Sequence, residues 1–381
     1  MKYLKFSFLI LLIIFISSDS VAQLRDIESI INSIKNQYAP DTRVAIFDIQ
    51  CNFSSEGIIV SGEIDNQNAK TELLNTIKKK YSYRVTDKIR MLPDASLGDK
   101  TQGIVSAIVG DVRKHPGNNE ELVTQVLLGT KITLFKKEQG YFLIQMPDKY
   151  LGWIDTQAVI SMSQSKLKSW DIAPQGIITA IKGNILSQPN LSSDVICTII
   201  LGCILKIRNR QNGWIGVEFI DGTLGFIPED NIQDLNEWKN TRLLSAENVE
   251  KTAKSLLNIP YLWGGTSVRG FDCSGFTKTV FKMNGFELNR DADQQVKQGL
   301  TVNPGKDFQN LRKGDLIFFG QKQTGDQPEQ ITHVGIYLGN QLYIHSQGHK
   351  QVRINSFDKM SALFDKQIRK IFLHAKRIIT Q

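Results

Sequence analysis

Cysteine is scarce: four residues in a chain of 381, too few to staple so long a sequence into a disulfide scaffold. Whether any one of those thiols is reactive stays open. There are five histidines, and His115, His349 and His374 have no partner at ligand spacing, so neither a metal nor another cofactor is expected. Long apolar runs are missing apart from Phe6 to Ile16, which is too short for a comfortable membrane anchor. With 41% hydrophobic and 22% charged residues, wholesale disorder is excluded. An acidic excess is absent as well. The net charge of +8 is spread along the chain rather than gathered into arms, which argues against nucleic acid and leaves an anionic polymer or surface as the compatible partner.

The N-terminus carries a compartment signal. Lys2 and Lys5 precede the apolar run, and small residues follow it through Ser20-Val21-Ala22. This describes a secretory signal peptide over residues 1–22. No cysteine follows the cleavage point, so a lipoprotein anchor is not expected. The reading is an exported, soluble, periplasmic or extracellular protein, monomeric and without stable membrane insertion.

Residues 23–99 read as a small α+β domain. Ile27, Ile30, Ile31 and Ile34 fall at helical spacing, Val44 to Ile49 and Ile58 to Ile64 read as strands, Ala69 to Ile77 as a second helix, and Tyr83 to Met91 as a last strand. That order faintly resembles BON-like envelope domains, and none of its residues suggests chemistry. Residues 103–159, shifted by 73 positions, fall without a gap on 176–232. Gly103, Gly110, Gly140 and Gly152 meet Gly176, Gly183, Gly213 and Gly225. A period this long is a tandem domain. Roughly five short alternating strands in each copy must curl on themselves to hide their edges, giving small β-barrels over 100–163 and 173–234. The copies diverge where a ligand would be read, since Glu121 and Tyr150 align with Asp194 and Thr223. In the second copy, Cys197 and Cys203 either pair across adjacent strands or stand as thiols, and their apolar neighbours favour thiols. Cys51 reads as packing.

Residues 243–381 hold the candidate chemistry. Glycines 264, 265, 270 and 275 let backbone approach a ligand closely. Asp272-Cys273-Ser274-Gly275 then opens a helical pattern. A cysteine in the first turn of a helix meets the positive end of the dipole, which lowers its pKa, with Asp272 at or near the N-cap. A thiol nucleophile needs a base, and His333 and His345 lie on two strands, Thr332 to Leu338 and Leu342 to His345, joined near Gly339-Asn340. A two-residue loop there puts the histidines on opposite faces. A three-residue loop makes them direct partners, so a shared site requires an odd loop.

The motifs Pro260-Tyr261-Leu262-Trp263-Gly264-Gly265, Asp272-Cys273-Ser274-Gly275-Phe276, Gly314-Asp315-Leu316-Ile317-Phe318-Phe319 and His333-Val334-Gly335-Ile336-Tyr337 resemble the NlpC-type cell-wall cysteine peptidases, a papain-like family. The two repeats resemble bacterial SH3-like domains that bind peptidoglycan or its stem peptides. The expected architecture is α+β and multidomain, with a papain-like domain preceded by two SH3-like barrels and an α/β N-terminal domain. The resemblance implies Cys273 as nucleophile, His333 as base and His345 as its orienter. It places Tyr261 at the site border, with Ser274 beside the nucleophile on the substrate side, and gives Arg290 and Gln294 or Gln295 a supporting role. The arrangement is similar to exported γ-D-glutamyl-diamino-acid dipeptidyl peptidases. That similarity implies stem peptides of the type L-Ala-γ-D-Glu-diamino acid as partner, with Glu121, Tyr150 and Asp272 holding a free amine. An amidase or acyltransferase on the same fold, or a non-catalytic wall-binding protein, is the alternative.

Overall fold

The structure is a computed structural model that describes residues 18–348 and 350–380. The leader expected over 1–22 falls largely outside the described residues, as does His349. No helix among the described residues is long and apolar enough to cross a membrane. The chain divides into two compact units, Met1–Asp94 and Ala95–Gln381.

In the first unit, helices Ser18–Tyr38 and Gln67–Lys80 accompany strands Phe47–Ser54, Gly57–Ile64 and Val85–Met91. The first two strands pair antiparallel and the third joins in parallel. Ile27, Ile31, Leu73 and Ile77 form the core with Ile58 and Val60. Asn66 caps the second helix by accepting from the amides of Asn68 and Ala69, as its side-chain chemistry favours. The first strand starts at Phe47 rather than at Val44. A turn closed by the Val44 amide donating to the Asp41 carbonyl occupies the expected beginning. Cys51 lies inside this strand, partly buried.

In the second unit each repeat forms a seven-stranded antiparallel sheet rather than the expected five strands. The first and last strands of each repeat pair with each other, Gln102–Val105 with Val159–Met162 in the first copy and Gln175–Ile178 with Ile232–Asp234 in the second. The offset of 73 persists in three dimensions: Leu122–Leu127 corresponds to Val195–Ile200, Tyr141–Gln145 to Trp214–Glu218, and Leu151–Asp155 to Leu224–Pro228. Leu128 of the first copy packs into the core of the second beside Ile199 and Cys203. Cys197 and Cys203 are free thiols, and only Cys203 is fully buried.

The last part packs the helix Cys273–Met283 on a six-stranded antiparallel sheet. Phe276, Val280 and Phe281 of the helix meet Leu316, Phe318, Val334 and Ile344 of the sheet in one core, as the 3.6-residue period dictates. In the sheet, strand Gln330–Gly339 lies between Leu316–Gln321 and Leu342–Ser346, and Val352–Ser356 is at the edge.

The hairpin carrying the two histidines departs from the expected register. Its loop is Asn340-Gln341, both at positive φ (50° and 59°), a two-residue turn of the kind that suits twisted strands. A bulge between Tyr337 and Gly339 then shifts the pairing, so that Tyr337 faces Tyr343 and Ile336 faces Ile344. The odd residue is therefore Leu338, inside the strand rather than in the loop. His333 and His345 share a face as diagonal neighbours, not as direct partners, and Gly335 stands opposite His345.

Candidate active site

Cys273 begins its helix and Asp272 is the N-cap. Asp272 Oδ1 accepts from the Gly275 amide at 2.6 Å and from Ser274 Oγ at 3.2 Å. The fully buried Arg290 reaches both oxygens, Nη2 to Oδ2 at 2.5 Å and Nη1 to Oδ1 at 3.3 Å, and Nη1 also donates to Ser274 Oγ at 3.0 Å. An Asp–Arg pair with so little water depends on its own hydrogen bonds, and here both Nη groups are used at the mouth of the nucleophile helix while Nε is left without a partner. Gln295 locks the same turn from behind: it accepts from Thr277 Oγ1 at 2.8 Å and donates to the Ser274 carbonyl at 3.0 Å. Gln294 accepts from the Asp291 amide at 3.1 Å.

The glycine-rich approach lies against the first barrel. Gly264 sits at φ +74°, and a Cβ there would come within 2.3 Å of the Leu122 carbonyl oxygen, so only glycine allows the two backbones to meet. Gln125 fastens the seam. Its side-chain oxygen accepts from Ser267 Oγ at 2.9 Å, and its carbonyl from Thr266 Oγ1 at 2.9 Å. The first barrel is thereby held over the nucleophile.

Between them is a cavity of about 450 Å³. Cys273, Ser274, Asp272, Tyr261 and His333 line one side, and Glu121 and Tyr150 come from the barrel. Of the residues expected at the site, Cys273, His333, Asp272, Ser274, Tyr261, Arg290, Glu121 and Tyr150 line this one cavity, whereas His345, Gln294 and Gln295 stand behind its lining. His345 is fully buried behind His333, whose Nε2 lies 2.7 Å from His345 Nδ1. Two further lining residues were not singled out from the sequence. Asp291 accepts from the Tyr150 hydroxyl at 3.0 Å. Trp263, 63% exposed, donates its indole N–H to Glu121 Oε1 at 3.1 Å. Asp291 belongs to the Arg290 motif and Trp263 to the glycine motif, but what they touch lies some 140 residues away.

The thiol departs from expectation. Burial pushes Cys273 up to about 12, and Asp272 adds to the effect. The amides of Val334 and Ser274 and the Arg290 charge pull the other way without prevailing. Desolvation of a charge outweighs the dipole of one helix end. Burial also holds His333 well below the ordinary imidazole range, with His345 contributing, and lowers His345 to about 4. Burial thus disfavours the charged form of the thiol and of the imidazole alike. Burial likewise raises Tyr261, helped by Cys273 and Asp272.

All three carboxylates of the cavity lining already have partners: Asp272 is held by Arg290 and by the helix, Glu121 by Trp263 and Lys114, and Asp291 by Tyr150 and Arg290. Among the described residues no cluster of His, Cys, Asp and Glu has the makings of a metal site.

Residues 258–370 match the family model of the NlpC/P60 family, and residues 112–159 match that of a bacterial dipeptidyl-peptidase SH3 domain. A γ-D-glutamyl-L-lysine dipeptidyl-peptidase of Bacillus subtilis is 29% identical over 233 residues, covering 58% of this chain and 71% of its own. A probable endopeptidase, an NlpC homologue of Haemophilus influenzae, is 32% identical over 145 residues, 37% of this chain and 72% of its own. The solved structure of an NlpC/P60 family protein from Bacillus cereus shares the fold with a TM-score of 0.62, at 20% identity over 72% of this chain and 99% of that one.

Proposed function

The chain belongs to the NlpC/P60 family and is a cysteine peptidase of peptidoglycan peptides, and from that premise we propose that it cuts the γ-D-glutamyl–diamino acid bond two residues from a free amino end. The observation that carries the specificity is the acidic end of the cavity. A desolvated ammonium needs anionic and hydroxyl partners, and Glu121, Asp291 and the Tyr150 hydroxyl offer them in the cavity that also holds the thiol. The barrel contributes Glu121 and Tyr150 to the cavity, and an ammonium held by them fixes how far the amino end lies from the nucleophile.

In the proposed reaction Cys273 Sγ attacks the carbonyl carbon of the γ-glutamyl amide. The thiol proton passes to His333, whose Nε2 is engaged with His345, leaving Nδ1 as the acceptor. Collapse of the tetrahedral intermediate breaks the C–N bond, and the departing amine takes that proton from His333. Water then attacks the thioester, giving its proton to His333 and restoring the thiol as L-Ala-γ-D-Glu leaves. The first-turn amide of Cys273 is without an intrahelical acceptor and receives the developing oxyanion. Because burial works against both charges, proton transfer accompanies attack. The enzyme acts as an exported, soluble monomer and uses no metal or nucleotide.

The test is mass spectrometry of digests of L-Ala-γ-D-Glu-diamino acid peptides with free and with acetylated amino ends. Cleavage of the free peptide alone is the expected outcome. Equal rates on both would remove amine recognition, and full turnover by Cys273→Ala would remove the peptidase reading itself.

A further inference from the structure

His345 does not end the chain of polar contacts behind the nucleophile. Its Nε2 lies 3.1 Å from Asn355 Oδ1, and Asn355 Nδ2 donates to the Leu363 carbonyl at 3.1 Å. Asn355 is 4% exposed and sits on strand Val352–Ser356, opposite Tyr343 and diagonal to His345. His333, His345 and Asn355 thus form a row across three adjacent strands on one sheet face, each touching the next.

The row has a direction. The Leu363 carbonyl can only accept, so the amide must turn its NH₂ toward Leu363 and its oxygen toward His345. An amide oxygen can only accept, so His345 carries its proton on Nε2. Its Nδ1 is then a bare lone pair, and it can face His333 Nε2 at 2.7 Å only if that nitrogen is protonated. His333 is left with an unprotonated Nδ1. A neutral imidazole has one proton and two places for it. Here a side chain two hydrogen bonds from the base decides between them.

We infer that Asn355 is a positioning residue that sets the tautomers of both histidines and so keeps His333 Nδ1 free to take the thiol proton. The inference rests on the proposed peptidase reading for its kinetic consequence, but not for its structural one. Without Asn355 the buried His345 Nε2–H has no acceptor, and the ring gains by moving its proton to Nδ1. The His345 Nδ1–H would then face the His333 Nε2–H, two donors across one contact. His333 would turn or carry its proton on the wrong nitrogen.

The experiment combines nitrogen-15 NMR of the histidine rings in the full chain with steady-state kinetics on a free-amine L-Ala-γ-D-Glu-L-Lys peptide. In the unsubstituted protein both His333 and His345 are expected as Nε2–H tautomers. Asn355→Leu should convert the His345 signal and lower kcat by about 10- to 100-fold, the range typical of residues that orient a functional ligand from behind, with KM little changed. Asn355→Asp retains an acceptor facing His345 and should restore both the tautomer and most of kcat. The inference is overturned if His345 is the Nδ1–H tautomer in the unsubstituted protein, or if folded Asn355→Leu keeps its kcat. If Asn355→Leu does not fold, the unsubstituted spectrum and Asn355→Asp still decide. If the unsubstituted protein does not cut the peptide, the peptidase reading fails while the ring spectra still judge Asn355.

Discussion

Acidification should destabilise the unit that holds the site through one buried ring. His345 is fully buried, and burial, the largest cause, lowers its pKa to about 4 from an ordinary 6.5. The Asn355 hydrogen bond and Asp365 pull upward, Arg353 and Lys350 press further down, and His333 and Tyr343 complete the surroundings. Unfolding frees the ring to charge, so between these two values the unfolded chain binds more protons than the folded one. The stabilisation is therefore complete above pH 6.5 and is lost as the pH falls toward 4. At about 1.36 kcal/mol per pH unit the full loss is about 3 kcal/mol, and the share between pH 7 and pH 5 is about 2 kcal/mol. With a urea dependence of roughly 2–3 kcal/mol per molar for a unit of this size, the midpoint falls by somewhat under about 1 M. Carboxylates add their own pH dependence, so the decisive quantity is the difference between the unsubstituted protein and His345→Asn. The assay is urea unfolding at pH 7 and pH 5, followed by tryptophan fluorescence and far-UV circular dichroism, whose coincidence tests for a single transition. His345→Asn should lose about 2 kcal/mol less over that interval. Equal losses in the two proteins would refute the claim that this ring is held neutral by burial.

Three further outcomes follow from the same geometry. A thiol whose charged form burial disfavours should alkylate slowly, so the reaction of Cys273 with iodoacetamide at pH 7 should lag behind that of free cysteine; faster reaction would mean that a thiolate is already present. Glu121→Gln should lower kcat/KM on a free-amine peptide by at least about tenfold, since a lost charged contact typically costs more than 1.4 kcal/mol, while the alkylation rate of Cys273 stays unchanged. Gly264→Ala places a Cβ 2.3 Å from the Leu122 oxygen at φ +74° and should cost at least about 1–2 kcal/mol for the backbone alone; thermal unfolding indistinguishable from the unsubstituted protein would show that the barrel does not bear on this loop.

What the sequence disclosed and what it withheld divide along one physical line. The repeat was legible because corresponding strands keep the offset of 73 from Gln102–Val105 through Leu151–Asp155, and periodicity survives folding unchanged. Asp272, Cys273 and Gly275 were legible because an N-cap is made by neighbours in the chain. The two histidines were only half legible. Alternation along a strand put them on one face once the loop parity was right, yet the compensating residue proved to be the bulged Leu338, and a bulge at an apolar position has no compositional signature. Asp291 and Asn355 could not be assigned roles, because their partners, Tyr150 and His345, are brought to them only by the packed barrel and the adjacent strand. The thiol shows the same division in a single group. Its helix-dipole contribution was visible in four consecutive residues, but the opposing desolvation is produced by everything folded around it. Burial exceeds the local field in this case. A nucleophile read from its own motif therefore shows the local field on the thiol but not the desolvation that opposes it.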